Sequence, residues 1–344
     1  MANPIQPTAE LLSARGADQD RWFEAADAAT RHQFGDEVFV RAVVEVSNYC
    51  RENCTYCGMR RDNRTLKRFR ADAEQLATLL IEHRPASVTD VNIQAGEDPV
   101  AVRQVVLPLL RTLTAETDLG LSVCLGTLTP ELYEELQATG ASIYIMKFEL
   151  GDAAEYERFH APGTQTERCR HIRLLAEAGW RVSSGFIAGL PAQTTASLLA
   201  SLRLAAELPL SGCSVSPFIP GDETPLKDAA LSDVETSLNC MAALRLMRPD
   251  WVIPSVSALN LAEPGLGYRR GLRAGANLTT INMTPDGLRE DYLLYTRDRF
   301  IMSEEGILAA IAAEGRVPST RGLAAYYREQ DATMRAATAP AVQA

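Results

Sequence analysis

No apolar run in this chain of 344 residues approaches the ~20 residues that a membrane-spanning helix needs. The start, Met1-Ala2-Asn3-Pro4-Ile5-Gln6-Pro7-Thr8, lacks the charged-then-apolar layout of a signal peptide. Low-complexity breaks are missing from the middle, and so is the Gly-rich loop of a dinucleotide-binding sheet. Basic charge is short too. With 34 Lys and Arg against 44 Asp and Glu, the formal charge of −10 gives no general attraction for nucleic acid or an anionic membrane. A small-molecule substrate is favoured. Cysteines number seven, an odd count without a secretory signal, so a reducing cytoplasm is expected rather than a disulfide framework. Cys124, Cys169, Cys213 and Cys240 stand far apart in apolar or helical surroundings and read by default as buried thiols.

What is present is a large potential core, 46% of the residues being hydrophobic, in a length that suits one big α/β barrel. Eight strand-like segments recur: 38–46, 88–94, 121–125, 142–149, 181–187, 212–217, 251–255 and 277–282. Most are rich in Val, Ile or Leu, as parallel strands covered on both faces should be. Amphipathic stretches at 73–83, 100–116, 130–139, 166–179, 195–208 and 232–247 read as crossover helices. Pro130 suits a first helical turn, Ser232 with Glu235 a capping box, and Gly140 and Gly179 helix ends. Eight such units predict a (β/α)8 TIM-type barrel over 37–325, with the loops after the strands as its working face. A helical extension over 1–36, broken near Gly16, is expected to pack under or beside it. The stretch 326–344 should close the chain as a helix end and a loose tail, from 336 on.

Three cysteines in one short loop, Cys50, Cys54 and Cys57, carry the chemistry. The spacing C-x3-C-x2-C supplies three thiolates, enough for three irons of a 4Fe–4S cube whose fourth iron stays open to a small molecule. A zinc site completed by a distant His or Cys, or plain buried thiols, would use the same residues. Further groups stand at later strand ends. After the second strand come Gly96, Glu97, Asp98 and Pro99, where Asp98 and Pro99 also read as a helix start. Glu149 ends the fourth strand, as solvated carboxylates commonly do, and Arg168 opens the next helix. Gly185, Ile187 and Gly189 follow on strand five, where a flat ring could lie against backbone.

These residues resemble the radical S-adenosylmethionine enzymes: Cys50, Cys54, Tyr56 and Cys57 match C-x3-C-x-aromatic-C, Gly96-Glu97-Asp98 a Gly-Gly-Glu-like motif, and Gly185, Ile187 and Gly189 a G-x-I-x-G-like segment. The chain looks most like the branch that holds biotin synthase, methylornithine synthase and the FeFe-hydrogenase maturase HydE. Local likeness is strongest to the last, through Ser47-Asn48-Tyr49-Cys50-Arg51, Tyr56 to Asn63, Gln94 to Pro99, Pro217-Phe218-Ile219-Pro220, Thr224-Pro225-Leu226 and Gly275-Ala276-Asn277. Coverage runs from about Phe23 to Pro318. The resemblance implies a 4Fe–4S cluster on the three cysteines. It implies S-adenosylmethionine held by Tyr56, Gly96, Glu97, Asp98, Ser122, Glu149, Arg168 and Ile187, with Arg168 for the methionine carboxylate. It implies one-electron cleavage to a 5′-deoxyadenosyl radical, fed by a flavodoxin or ferredoxin-like reductant. Cys124, Ser216, Ser255, Ser257, Asn260, Thr279 and Thr280, with Asn282, are the candidates to hold substrate, though ordinary strand polarity would also place them.

Departures from the relatives narrow the reaction. Ser183 and Leu259 stand where biotin synthase holds its second cluster, and Ser214 and Ala258 where methylornithine synthase fixes lysine. Phe148 replaces the His that many maturases carry before the fourth-strand Glu, and no cysteine follows Cys240. The expected reaction is therefore a lyase, mutase or rearrangement step on an amino-acid-derived metabolite. Hydrogenase maturation and a non-catalytic iron–sulfur or zinc protein are the alternatives.

Overall fold

The computed structural model describes residues 6–297 and 299–338. Seven strands lie parallel: β1 (Glu37–Ser47), β2 (Asp90–Ala95), β3 (Gly120–Cys124), β4 (Ile143–Ile145), β5 (Arg181–Ala188), β6 (Gly212–Pro217) and β7 (Leu278–Asn282). Their spatial order is β6-β5-β4-β3-β2-β1-β7. Helices cover the outer face, so strands such as β1 are apolar and buried almost throughout.

The expected eighth strand at 251–255 is reduced to two single bridges, Val252 with Gly212 of β6 and Pro254 with Leu278 of β7. Pro254 has no N–H to give, and the Ile253 N–H is taken by Asn277 Oδ1 at 2.8 Å, so no regular ladder forms. Backbone bonds still tie the segment on both sides, Val252 N to Ser211 O at 3.1 Å and Ser255 N to Leu278 O at 2.8 Å. The α/β sheet therefore curls until one short segment touches both its edges. Sequence reading missed the two-residue strand Val317–Pro318, which pairs with the start of β1.

Two helix expectations change in detail. The single helix over 100–116 becomes Pro99–Ala101, a π turn at Val102–Val106, and Leu107–Glu116. Pro108 cannot donate, and Leu107 N reaches back five residues to Val102 O. The helix Val234–Met247 is capped by Asp233, whose carboxylate accepts from Glu235 N at 3.0 Å, rather than by Ser232.

Helices Ala9–Ser13 and Ala17–Phe34 meet at Gly16, whose φ of 57° supplies the break. They lean on Val234–Met247 through one buried amide. Asn239 Nδ2 donates to Leu12 O and Ala14 O at 3.0 Å each, and Gln19 Nε2 donates to Asn239 Oδ1 at 2.8 Å. The last helix, Leu323–Thr338, includes the first residues of the expected loose tail; 339–344 lie outside the described residues.

Candidate active site

The loop after β1 brings Cys50, Cys54 and Cys57 to the wall of a cavity at the C-terminal ends of the strands. All three thiols are free, and burial pushes each up, Cys57 to about 12. Among the described residues no three His, Cys, Asp or Glu side chains gather closely enough to hold a single metal ion. Thiolates that each bind a different iron need not converge on one point as the ligands of one ion must. Tyr56 lines the same wall; its buried hydroxyl has no oxygen or nitrogen partner and lies against the Cys54 thiol.

The turn after β2 packs directly on this loop. Arg51 N donates to Glu97 O at 3.2 Å, and Glu97 N lies 3.4 Å from Cys50 Sγ. A Cβ on Gly96 would stand 2.2 Å from Tyr49 O, so only glycine permits the approach. Glu97 is clamped twice: Arg168 NH1 donates to Oε1 at 2.6 Å and Arg51 NH2 to Oε2 at 3.0 Å. Arg168 comes from the helix Gln165–Glu177, and is buried rather than a surface arginine. Its Nε donates to Lys147 O at 2.8 Å and NH1 also to Thr127 Oγ1 at 2.9 Å. Burial is the largest influence and would lower its pKa, but Glu97, Tyr156 and Glu149 together outweigh it and raise it.

Glu149 has a left-handed backbone, φ 63°, fixed by Glu149 N to Gly185 O and Ile187 N to Glu149 O, both 3.0 Å. Its carboxylate lines the cavity without a hydrogen bond, and burial pushes it up despite Lys147 and Arg168 nearby. Ile187 and Ser216 line the cavity too.

A second cavity of about 1100 Å³ adjoins the first inside the strands and shares Cys124, Lys147 and Ser216 with it. Ser257, Asn260, Thr280 and Asn282 line it as expected. Four named candidates line neither cavity. Asp98 is occupied by Arg70 and Ser47 at 2.7 Å each and caps Val100 N at 3.2 Å. Ser122 donates to Val91 O and Asn92 Oδ1 at 3.2 Å, and Ser255 to Tyr268 O at 3.3 Å. Thr279 is fully buried, since alternate residues of β7 face opposite sides and Thr280 takes the inward place.

Charged residues missed in the sequence line this inner cavity: Arg41, Glu45, Lys147 and Arg299. Arg299 NH2 donates to Glu45 Oε2 at 2.5 Å, closing one charge pair. Among the described residues Arg41 bonds only the Thr280 hydroxyl, 3.2 Å from its Nε, and burial lowers its pKa. Lys147, among the described residues, makes no side-chain hydrogen bond; burial lowers it, and Glu149, Tyr295 and Cys124 together more than restore it. The signal for two of them was legible: Arg41 and Glu45 interrupt a Val-rich strand at even spacing, which puts both on one face.

A model of the radical SAM superfamily matches residues 44–205. The chain is 33% identical over 296 residues to the [FeFe] hydrogenase maturase subunit HydE of Thermotoga maritima, covering 84% of each. It is 25% identical over 298 residues to the 3-methylornithine synthase of Methanosarcina barkeri, covering 86% of this chain and 83% of that one. Among solved structures, a methylornithine synthase matches with a TM-score of 0.82 at 23% identity, over 94% of this chain and 97% of the other, a likeness of fold.

Proposed function

The chain belongs to the radical S-adenosylmethionine superfamily, and from that premise we propose that its two cavities serve one radical reaction on a small, anionic, amino-acid-derived metabolite. Members of the superfamily bind a 4Fe–4S cluster and S-adenosylmethionine, and the donor set fits both: three free thiols on one wall, with charged groups across the cavity. Bound together, these groups supply one-electron cleavage of the sulfonium to methionine and an adenosyl radical that takes a hydrogen atom from substrate.

In this reading Cys50, Cys54 and Cys57 would hold the cluster through their three thiolates. Glu149 holds an ammonium through its unbonded carboxylate. Arg168 would offer NH2 to a carboxylate, while Glu97 and Thr127 hold its NH1 and the Lys147 carbonyl its Nε. Gly96 lets that turn approach the loop, and Tyr56 and Ile187 offer apolar surface to the adenosyl group. Tyr292, Leu294 and Tyr295 narrow the route for water.

The observation that carries the substrate class is the charge balance of the inner cavity. Glu45 is matched by Arg299, whereas among the described residues neither Arg41 nor Lys147 forms a salt bridge, although Asp90 and Glu149 act on them through space. A substrate carboxylate on Arg41 would meet that excess, with Ser216, Ser257, Asn260 and Thr280 bonding its remaining polar atoms. Lyase, mutase and rearrangement steps all remain compatible. Maturation of FeFe-hydrogenase is the second reading, favoured by the 33% identity to HydE. Against it, Phe148 is fully buried and stacks on Phe186 with ring centroids 5.8 Å apart, so it offers the cavity no polar group. An external low-potential donor of the flavodoxin or ferredoxin class completes the proposal, in a reducing cytoplasm that suits cysteines all free among the described residues.

The test is anaerobic: load iron and sulfide, add dithionite and S-adenosylmethionine, and assay 5′-deoxyadenosine with and without candidate amino acids. Production that Cys54→Ala abolishes, and that an amino acid stimulates, supports the reading. A chain that loads no cluster sinks it.

A further inference from the structure

Residues 66–71 turn back along the end of β1, where Arg70 bridges Ser47 antiparallel and Ala71 N donates to Val46 O at 2.8 Å. Asn48 fastens the same stretch: its Nδ2 donates to Lys67 O at 2.8 Å and its Oδ1 accepts from Phe69 N at 2.7 Å. From this platform the Arg68 guanidinium reaches the cysteine loop. NH1 donates to Asn48 O and to Met59 O, the latter at 2.8 Å; NH2 donates to Arg60 O at 2.7 Å and Asn63 O at 3.2 Å. Asn48 lies just before Cys50, and Met59 just after Cys57. One planar fork thus clasps both ends of the segment that carries all three thiols.

Among the described residues no carboxylate bonds that fork. Three neighbouring cations do have acid partners, Arg51 with Glu97, Arg61 with Asp62 and Arg70 with Asp98. The bonds of Arg68 all go to carbonyls, and the groups whose charge acts on it are Cys50, Cys57 and Tyr49. The carboxylates of Glu97 and Glu52 act on Cys50 in the opposite sense.

We propose that Arg68 is a positioning residue for the cluster, with two separable effects: its fork fixes the span of the cysteine loop, and its charge raises the reduction potential of whatever the three thiolates hold. The inference rests on the cluster reading given above. Reduction adds one negative charge beside the loop, and a cation near Cys50 and Cys57, half-buried and so only partly screened, favours the reduced state.

Two variants of the full chain separate the effects, each reconstituted anaerobically and followed by iron content, release of iron to a chelator, and midpoint potential from an EPR-monitored redox titration. Arg68→Gln removes the charge. Its reduced cluster should be disfavoured about tenfold, a fall of about 59 mV for a one-electron couple. Arg68→Lys keeps the charge but cannot span four carbonyls, so its midpoint should stay near wild type while iron is released several-fold faster. A fully loaded Gln variant with an unchanged midpoint overturns the charge effect. A Lys variant that holds iron as firmly as wild type overturns the clasp. If Arg68→Gln folds by circular dichroism but takes up no iron, a loaded Lys variant still supports the charge, and an unloaded one leaves the clasp alone responsible. Wild type failing to load would instead defeat the cluster reading itself.

Discussion

Arg168 and Glu97, 71 residues apart, meet at 2.6 Å in the wall of the cysteine-lined cavity, with side chains only 5% and 8% exposed. The pair joins the turn after β2 to the helix Gln165–Glu177, so the loop that supports Cys50 and the group offered to a carboxylate are held by one contact. A buried pair of this kind matters most when half of it is removed, because the survivor is left charged and unmatched.

Glu97→Gln should therefore destabilise the protein by about 3–5 kcal/mol by stranding Arg168 and should also weaken S-adenosylmethionine binding. Glu97→Gln combined with Arg168→Met should recover part of the stability and none of the binding. Calorimetry and equilibrium binding on the loaded protein read the two quantities separately; a double variant no more stable than the single one would contradict the pairing.

Arg41→Met should leave iron content and unstimulated S-adenosylmethionine cleavage as in wild type, because Arg41 lines only the inner cavity. The KM for a stimulating acid should rise about 10–100-fold, the loss expected when a charged hydrogen bond of about 1.5–3 kcal/mol disappears. An unchanged KM would remove Arg41 from substrate recognition.

Gly96→Ala places a methyl 2.2 Å from Tyr49 O and 2.9 Å from Cys50 Cβ, so the loop must move. Iron loading should fall and stability drop by about 1–3 kcal/mol. Gly287→Ala, with nothing within 4 Å of its added Cβ, is the control and should change neither. Equal behaviour of the two would show that the contact is not binding on the loop.

His171 contacts Tyr133, whose hydroxyl also accepts from Leu128 N at 2.9 Å beside the Thr127 turn. Burial first, then Arg170, lowers the His171 pKa below its ordinary 6.5. The unfolded chain therefore takes up the proton first. Stability contributed by the neutral ring is fully present above pH about 6.5 and is lost as pH falls from there toward the lower folded value. His171→Gln should flatten this part of the stability–pH curve measured by thermal melts; the same slope in the variant would place the titration elsewhere.

Cys50, Cys54 and Cys57 owe their function to spacing within one loop, which no folding is needed to read, and the Val-rich run of β1 likewise announces itself by composition. Local chemistry sets these, because a thiol triad, a helix cap or a strand depends on residues a few positions apart. What only the tertiary structure decided is which distant side chains share a space. Asp98 looked as available as Glu97, yet Arg70 and Ser47 occupy it; Thr279 and Thr280 differ only in the face that β7 turns inward. Glu45 meets Arg299 from 254 residues away, and Glu149 turns inward through a backbone conformation no sequence pattern announces. Long-range contacts follow from sheet register and from how far the sheet curls, and both are set by the packing of the whole barrel rather than by any segment alone.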